Sequence, residues 1–272
     1  MTLVELVAAA LAEDIGGGDV TTLACVAADA NAAARIHARQ ELVVSGQGVA
    51  EEVFRALGAT YTPLLGDGAI AVMGADLGRV EGPARALLTG ERVALNFLMR
   101  LCGIATHTRS VVARSGGLRV LDTRKTTPLH RELEKAAVRH GGGHNHRFGL
   151  HDGVLIKDNH LVAAGGVAAA ISRARGAVHH LMKIEVEVES LAQLEEAIGA
   201  GTDAVLLDNM DDASLRAAVL LNGGRVWLEA SGNMNADRIS ALAGIGLDAV
   251  SMGGLVHQAR WVDLSMTVLP AS

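Results

Sequence analysis

Along the second half of the chain, short apolar runs recur at 118–121, 153–156, 182–188, 204–207, 226–228 and 249–252. Alanine-rich stretches of helical character lie between the later runs, at 162–175, 191–200, 213–221 and 237–243. Polar residues close the runs: Lys157, Glu187, Asp208, Glu229 and Ser251, the last four spaced by 21, 21 and 22 residues. One strand, one helix and two short loops need about that many residues. The alternation predicts a parallel α/β layer. A doubly wound sheet gathers its ligand near one switch point. Polar residues at nearly every strand end instead favour a barrel, whose sites are built at the carboxyl ends of its strands. Six strands are legible, fewer than a complete eight-unit barrel requires.

The first hundred residues have a different pattern. A short helix is predicted over 4–11, followed by a glycine-rich turn at 16–18. Residues 34–38, 42–44 and 69–73 read as strands of a separate α/β layer. Thr89 caps a helical pattern from Glu91 to about Val112 that carries Leu95, Leu98, Met99 and Leu101. Gly103 is expected to interrupt it, which places the domain change at 103–108.

Half of the 272 residues are hydrophobic and 20% are charged, which suits a packed core and excludes disorder as the main state. Aromatics make up only 2%, so the core is aliphatic and no stacking platform for single-stranded nucleic acid exists. A net charge of −6 argues further against a nucleic-acid or membrane-surface binder. Cys25 and Cys102 make neither a disulfide framework nor a Cys-rich zinc site. The first fourteen residues hold three acids and no Lys or Arg, unlike a secretory signal. No apolar run approaches the ~20 residues that span a bilayer. The expected setting is the cytoplasm.

The charge is unevenly placed. From 119 to 157 eight Lys and Arg face four acids, with five histidines among them, whereas 158 to 212 holds ten acids and three bases. An acidic protein that gathers its cations in one stretch has the makings of an anion site. The densest polar segment is Asp122-Thr123-Arg124-Lys125-Thr126-Thr127-Pro128, directly after an apolar run. Adjacent cations flanked by hydroxyls suit a carboxylate or phosphate, although an Arg-Lys pair also occurs in ordinary surface turns. Gly141-Gly142-Gly143-His144-Asn145-His146-Arg147 follows, where missing Cβ atoms let backbone approach a ligand. His144 and His146 lack the nearby Cys or acid that would make a metal site of them. Lys157 ends a third run, and a lysine there is costly unless paired or used.

Glu185 and Glu187 alternate with valines, so period two puts both on one strand face. Asp208 closes another run. Two carboxylates from neighbouring strands can hold Mg²⁺ together with substrate phosphates, or stabilise a cationic sugar-like transition state. Ser231-Gly232-Asn233 and Ser251-Met252-Gly253-Gly254 follow the last strands, where such barrels bind phosphate on backbone amides.

These segments, in this order, closely resemble the quinolinate phosphoribosyltransferase family. The resemblance starts at Leu11-Ala12-Glu13-Asp14-Ile15-Gly16 and continues through Glu91-Arg92 and Gly103-Ile104-Ala105-Thr106. Its specific parts are the Asp122–Pro128 heptad, the triple-glycine segment, Ile156-Lys157-Asp158-Asn159-His160, the Glu185–Glu187 strand, Leu207-Asp208-Asn209 and Ser231-Gly232. It implies an N-terminal α/β sandwich domain, 1–105, with the tail 259–272 packing on it. It further implies an incomplete α/β barrel of fewer than eight units, 106–258. The implied chemistry is phosphoribosyl transfer from phosphoribosyl pyrophosphate to quinolinate with decarboxylation. Arg124, Lys125, His146, Arg147 and Lys157 match the cationic pocket for the two carboxylates, and Lys125, Lys157, Glu187 and Asp208 match the catalytic positions. Glu187 and Asp208 match acids near the ribose and Mg²⁺, and Ser231, Gly232, Gly253 and His257 match the 5′-phosphate site. The family's homodimer implies that Arg92 is donated from the partner.

Two positions depart from the family pattern. Leu129-His130 stands where Gly-Leu is usual, and Asn233 stands where a second glycine is usual. A paralogous group associated with molybdenum uptake shares several motifs but tends to lack the run at 157–160. A Schiff-base aldolase, using Lys157 or Lys183 as nucleophile, is the alternative of a different chemical class.

Overall fold

The computed structural model describes residues 1–270. Helix α1 (Leu3–Ile15) starts on a capping box, with Thr2 accepting from the Glu5 amide and Glu5 reaching back to the Thr2 amide. Helix α2 (Val20–Cys25) follows, then β1 (Asn31–Ala38), β2 (Leu42–Val43), α3 (Gln47–Ala56), β3 (Thr60–Pro63), β4 (Ile70–Ala71) and β5 (Asp76–Pro83). Helix α4 (Ala84–Val112) leads to β6 (Arg119–Leu121) and α5 (Arg131–His140). Strand–helix units then succeed one another: β7 (Val154–Ile156), α6 (Asp158–Ala164), α7 (Val167–Ala177), β8 (Ile184–Val188), α8 (Leu191–Gly199), β9 (Ala204–Asp208), α9 (Asp212–Asn222), β10 (Trp227–Ser231), α10 (Ala236–Leu242), β11 (Ala249–Ser251) and α11 (Gly254–His257). The last element is β12 (Leu264–Val268).

The chain forms two compact units. The first takes residues 1–109, 127–142 and 258 onward; the second takes 110–126 and 143–257. In the first, β12, β1, β5 and β3 form an antiparallel sheet in that order, with Ala34 opposite Val268 on one side and Val80 on the other. The tail therefore supplies an edge strand to the first unit. Strands β3 and β5 escape the sequence pattern because Thr, Arg, Gly and Pro dilute their apolar alternation.

Three expectations fail here: Thr89 does not cap α4, which already starts at Ala84, and its hydroxyl donates to Asp19 Oδ2 at 3.0 Å instead. Gly103 does not interrupt α4, which runs unbroken through it for 29 residues. A Cβ at Gly103 would lie 2.1 Å from the Arg260 carbonyl oxygen, so this glycine admits a close backbone approach. The segment 127–142, assigned by sequence to the barrel, belongs to the first unit. Fully buried Glu134 ties it there: its Oε1 accepts from Arg100 Nη2 at 2.9 Å, and its Oε2 from the Thr127 amide at 2.8 Å. Gly141 serves the same packing, since a Cβ would meet the Ala105 carbonyl oxygen at 2.5 Å. The first of the three glycines therefore fits against α4 instead of opening to a ligand.

The second unit is an incomplete α/β barrel. Six parallel strands run in the order β6-β11-β10-β9-β8-β7, so each strand from β7 to β11 lies beside its successor. A sheet wound in one direction only is what a barrel requires, and here the break falls between β6 and β7. His144 adds a single parallel bridge to Leu121 there. All six apolar runs of the sequence are strands. Serine, Asp and Asn caps at Ser190, Asp211 and Asn235 start α8, α9 and α10. The stretch predicted as one helix over 162–175 is broken by Gly165 and Gly166, both at positive φ, into α6 and α7.

Candidate active site

Strand pleating sorts the barrel side chains. On β8, Ile184, Val186 and Val188 are fully buried under the helices, while Glu185 and Glu187 turn to the other face. Register aligns Glu185 with Ala204 and Trp227, and Glu187 with Leu206 and Glu229. Asp208 and Ser231 stand opposite each other one pleat further on, and Ser231 Oγ donates to Asp208 Oδ1 at 2.8 Å. The strand interior thus has depth: Trp227 below, Glu229 between, Ser231 at the mouth. The sequence reading put Glu229 at a strand end. It lies in the middle of β10, because the strand continues through Ala230 and Ser231.

At the mouth is a cavity of about 260 Å³ lined by Thr123, Arg124, Lys125, His146, Arg147, Lys157, Glu229, Ser231 and Ser251, with Leu155 and Leu206. Every lining residue comes from the second unit. Four cations converge there from three places: Arg124 and Lys125 after β6, Arg147 in the following loop, and Lys157 after β7. Lys157 Nζ lies 2.5 Å from Glu187 Oε2. Arg147 donates from Nη1 to the Gly153 carbonyl at 2.9 Å, while its buried Nε has no partner among the described residues. Burial, then the neighbouring Arg124 cation, pulls the Arg147 guanidinium pKa down. A positive charge so placed is stabilised by an incoming anion.

Asp122, which the sequence placed at the head of the Arg124-Lys125 segment without a role of its own, organises the loop. It is fully buried; its Oδ1 accepts from the His146 amide at 2.9 Å and its Oδ2 from Asn145 Nδ2 at 2.5 Å. The only sequence signal was an acid closing an apolar run ahead of Arg124-Lys125. His146 lines the cavity, yet both ring nitrogens are engaged: Nε2 with Glu185 at 3.1 Å and Nδ1 with the Arg147 amide at 2.7 Å. Burial opposes the imidazolium, but the Glu185 hydrogen bond and the charges of Glu229 and Glu185 prevail and raise its pKa. In the neutral ring Nδ1 accepts from the Arg147 amide and Nε2 donates to Glu185, while Glu229 lies beside them, the ligand-type atoms of His146, Glu185 and Glu229 all within 4.8 Å of one another. Glu229 is 2% exposed, and its carboxyl is pushed up to about 7 by burial and by the Glu185 charge.

The phosphate-binding candidates also gather at the strand ends. Gly232 has φ +89°, and a Cβ there would clash with Asn209. A Cβ on Gly253 would meet Lys125 Cδ at 2.9 Å and His257 Nε2 at 3.2 Å, so these two side chains converge on that glycine. Asn233 adopts φ +51°, the conformation a glycine would take. Arg92 is exposed on α4 in the first unit. Arg131, Lys135 and Arg139, counted in the cationic stretch, lie on α5 of that unit. Lys183 precedes β8 at the amino end of the strands, 83% exposed and 3.5 Å from Asp203, so it lacks the desolvation a Schiff-base lysine uses. A larger groove of about 550 Å³ lies wholly in the first unit, walled by Leu6, Phe97 and Trp261; its Arg100 is committed to Glu134.

An incomplete parallel barrel with a cation-lined cavity at its strand ends, beside carboxylates and phosphate-type glycine loops, defines a transferase acting on anionic substrates. Two family models match, the quinolinate phosphoribosyl transferase N-terminal domain over residues 19–102 and its C-terminal domain over 104–267. The chain belongs to the quinolinate phosphoribosyltransferase family. A probable nicotinate-nucleotide pyrophosphorylase [carboxylating] of Bacillus subtilis is 42% identical, covering 94% of this chain and 90% of the relative. The human nicotinate-nucleotide pyrophosphorylase [carboxylating] is 38% identical over 98% and 91%. Among solved structures, NadC from Streptococcus pyogenes superposes with a TM-score of 0.93 at 41% identity, covering 97% of this chain and 96% of that one. The nicotinate-nucleotide pyrophosphorylase from Francisella tularensis gives 0.94 at 39%, covering 98% and 96%. No described helix is long and apolar enough to cross a membrane.

Proposed function

We propose that this chain transfers the phosphoribosyl group of phosphoribosyl pyrophosphate to quinolinate and removes the 2-carboxylate, giving nicotinate mononucleotide, pyrophosphate and CO₂ in NAD biosynthesis. The observation that carries this reading is the convergence of Arg124, Lys125, Arg147 and Lys157 on one cavity of about 260 Å³. Quinolinate is a dianion, and charge-assisted pairs in a partly closed site are stronger than in water. Arg124 and Arg147 present planar forks that suit carboxylates, and Lys125 and Lys157 add point charges. His146, its nitrogens held by Glu185 and the Arg147 amide, shapes the cavity and adds positive character.

Departure of pyrophosphate develops positive charge on the sugar, which Glu187 and Asp208, bonded to the cavity residues Lys157 and Ser231, stabilise. The ring nitrogen bonds to C1 and becomes cationic, and that adjacent positive charge stabilises the electron pair left on C2 as CO₂ leaves. Ser231, the turn at Gly232, Gly253 and His257 hold the 5′-phosphate. Glu187 and Asp208 offer hard carboxylate oxygens on adjacent strands, a donor set that fits Mg²⁺. Magnesium bound with phosphoribosyl pyrophosphate would neutralise charge on the leaving group. The protein works as a cytoplasmic homodimer, with Arg92 of one subunit completing the site of the other.

The test supplies purified protein with Mg²⁺, phosphoribosyl pyrophosphate and quinolinate labelled in the 2-carboxylate. Equal release of labelled CO₂ and nicotinate mononucleotide, dependent on Mg²⁺, is expected. No release while phosphoribosyl pyrophosphate still binds would transfer the assignment to a different acceptor, as in the molybdenum-associated paralogues.

A further inference from the structure

Loss of the 2-carboxylate leaves an electron pair on C2 of the pyridine ring, and the product carries hydrogen there. A proton must therefore reach C2 inside a cavity whose walls are mostly cationic. The guanidiniums of Arg124 and Arg147 are too basic to surrender one. Lys157 is bound to Glu187, the Lys125 stem packs at Gly253 on the phosphate side, and the His146 Nε2 proton is directed at Glu185.

Glu229 remains. It lies on the inner face of β10, two residues below Ser231, so roughly 6.6 Å deeper than the phosphate-binding mouth. It is 2% exposed, and its buried Oε1 has no hydrogen-bond partner among the described residues; His146 Nε2 stands 3.8 Å from it, and Ser251 hydrogen-bonds the carboxyl group. The groups around it come from every neighbouring element: Glu185 on β8, Ser251 on β11, His146 and Arg147 in the loop after α5, and Lys157 after β7. Burial and the Glu185 charge push its carboxyl up to about 7, so a large share of it carries a proton near neutral pH. Glu229 also lines a second cavity, of about 380 Å³, which reaches Lys183 and Asp203 at the opposite end of the strands. Glu229, His146 and Arg147 are the partition between the two.

We propose that Glu229 is the proton donor to C2 in the decarboxylation step. This rests on reading the mouth cavity as the quinolinate pocket. The bond from C2 to the carboxylate breaks, CO₂ departs and the electron pair stays on C2. In the same step the O–H bond of Glu229 breaks, its proton joins the pair on C2, the O–H electrons stay on oxygen and Glu229 is left as a carboxylate, so C–C cleavage does not run ahead of proton delivery. Water from the second cavity returns the proton before the next turnover.

The test is rapid-quench kinetics of wild type and Glu229→Gln with quinolinate labelled in the 2-carboxylate and phosphoribosyl pyrophosphate labelled in the pyrophosphate. Glutamine keeps the shape and the neutral state but has no acidic proton. Pyrophosphate release near the wild-type rate is expected, with CO₂ release slower by about 10²-fold and the carboxylated mononucleotide accumulating. Glu229→Asp, which keeps an acid, should restore part of the CO₂ release. Equal amounts of CO₂ and pyrophosphate at every time point in the glutamine variant would overturn the proposal, whether both are fast or both slow. If that variant does not fold, Glu229→Asp decides on the same ratio, since a shortened acid must slow CO₂ relative to pyrophosphate. Calorimetric binding of quinolinate to Arg124→Ala reads the pocket assignment separately. Weakened binding there, with coupled products in the Glu229 variants, removes the proton donor alone.

Discussion

Lys157, at the end of β7, and Glu187, on β8, form an ion pair across adjacent strands, Nζ to Oε2 at 2.5 Å. The Lys157 side chain is 45% exposed and that of Glu187 only 10%. The lysine can therefore swing to a substrate carboxylate while the acid stays beneath. Its removal deletes one cation from the pocket and leaves Glu187 without its counter-charge. Lys157→Ala should lower kcat/KM for quinolinate by at least ~10²-fold. Steady-state kinetics that stay near wild type would remove Lys157 from the pocket.

Arg124 and Arg147 approach closely enough for Arg124 to depress the Arg147 guanidinium, after burial has done most of it. An anion between them relieves both effects. Arg124→Ala should cost at least ~10²-fold in kcat/KM, and Arg124→Lys should recover only part, because a point charge cannot replace a planar fork. The pair also predicts that bound quinolinate raises the melting temperature more in wild type than in Arg124→Ala. Equal ligand-induced shifts would show that Arg124 does not touch it.

Glu229 and His146 make stability depend on pH in a defined window. The Glu229 carboxyl stands at about 7 against an ordinary value of 4.5, so between these values the folded chain binds more protons than the unfolded one. Stability is then full below about 4.5 and declines as pH rises toward 7. The raised His146 has the same sign, its contribution present below its ordinary value and lost as pH rises through its folded one. Melting temperature should fall from pH 5 to 8, and Glu229→Gln should flatten that fall. Parallel curves for the two proteins would mean Glu229 is already ionised when folded.

The strands of the barrel were legible because each is a nearly unbroken apolar run, which buried parallel strands produce. What the runs concealed was depth. A charged residue looks like a strand end, yet Glu229 sits mid-strand because Glu185 and His146 face it inside. Asp122, Glu185 and Glu229, the acids that position the cations and the loop, were underrated for the same reason: their partners are distant in sequence. The segment 127–142 follows the Arg124-Lys125 motif directly, so adjacency alone assigned it to the barrel, and only the buried Arg100–Glu134 pair reveals its true unit.

Leu129 illustrates a departure from the family pattern that carries a measurable cost. It stands at φ +68°, where the family pattern has glycine, and it is 72% exposed. The left-handed conformation costs a branched residue about 1–2 kcal/mol, and exposure means little burial offsets it. Glycine loses more chain entropy on folding, about 0.5–1 kcal/mol. Leu129→Gly should therefore be stabilising by about 1 kcal/mol, seen as a higher denaturant midpoint at unchanged m-value. An unchanged or lower midpoint would show that the turn bears no strain.

Gly232 tests the phosphate loop most directly. Its φ of +89° already disfavours any side chain, and an added Cβ would sit 2.8 Å from the Asn209 amide nitrogen as well as against the side-chain oxygen. Asn209 is itself at φ +53° and follows Asp208, to which its amide group donates at 2.6 Å. A methyl at 232 must therefore move either the β10–α10 turn or the Asp208–Asn209 corner. Both belong to the proposed phosphoribosyl pyrophosphate site, and neither lines the quinolinate cavity. Gly232→Ala should raise KM for phosphoribosyl pyrophosphate strongly, with displacement of about 1 Å costing up to ~10²-fold. Quinolinate binding measured alone should remain near wild type. An equal loss for both substrates would mean the change spreads through the barrel and that Gly232 is there for packing.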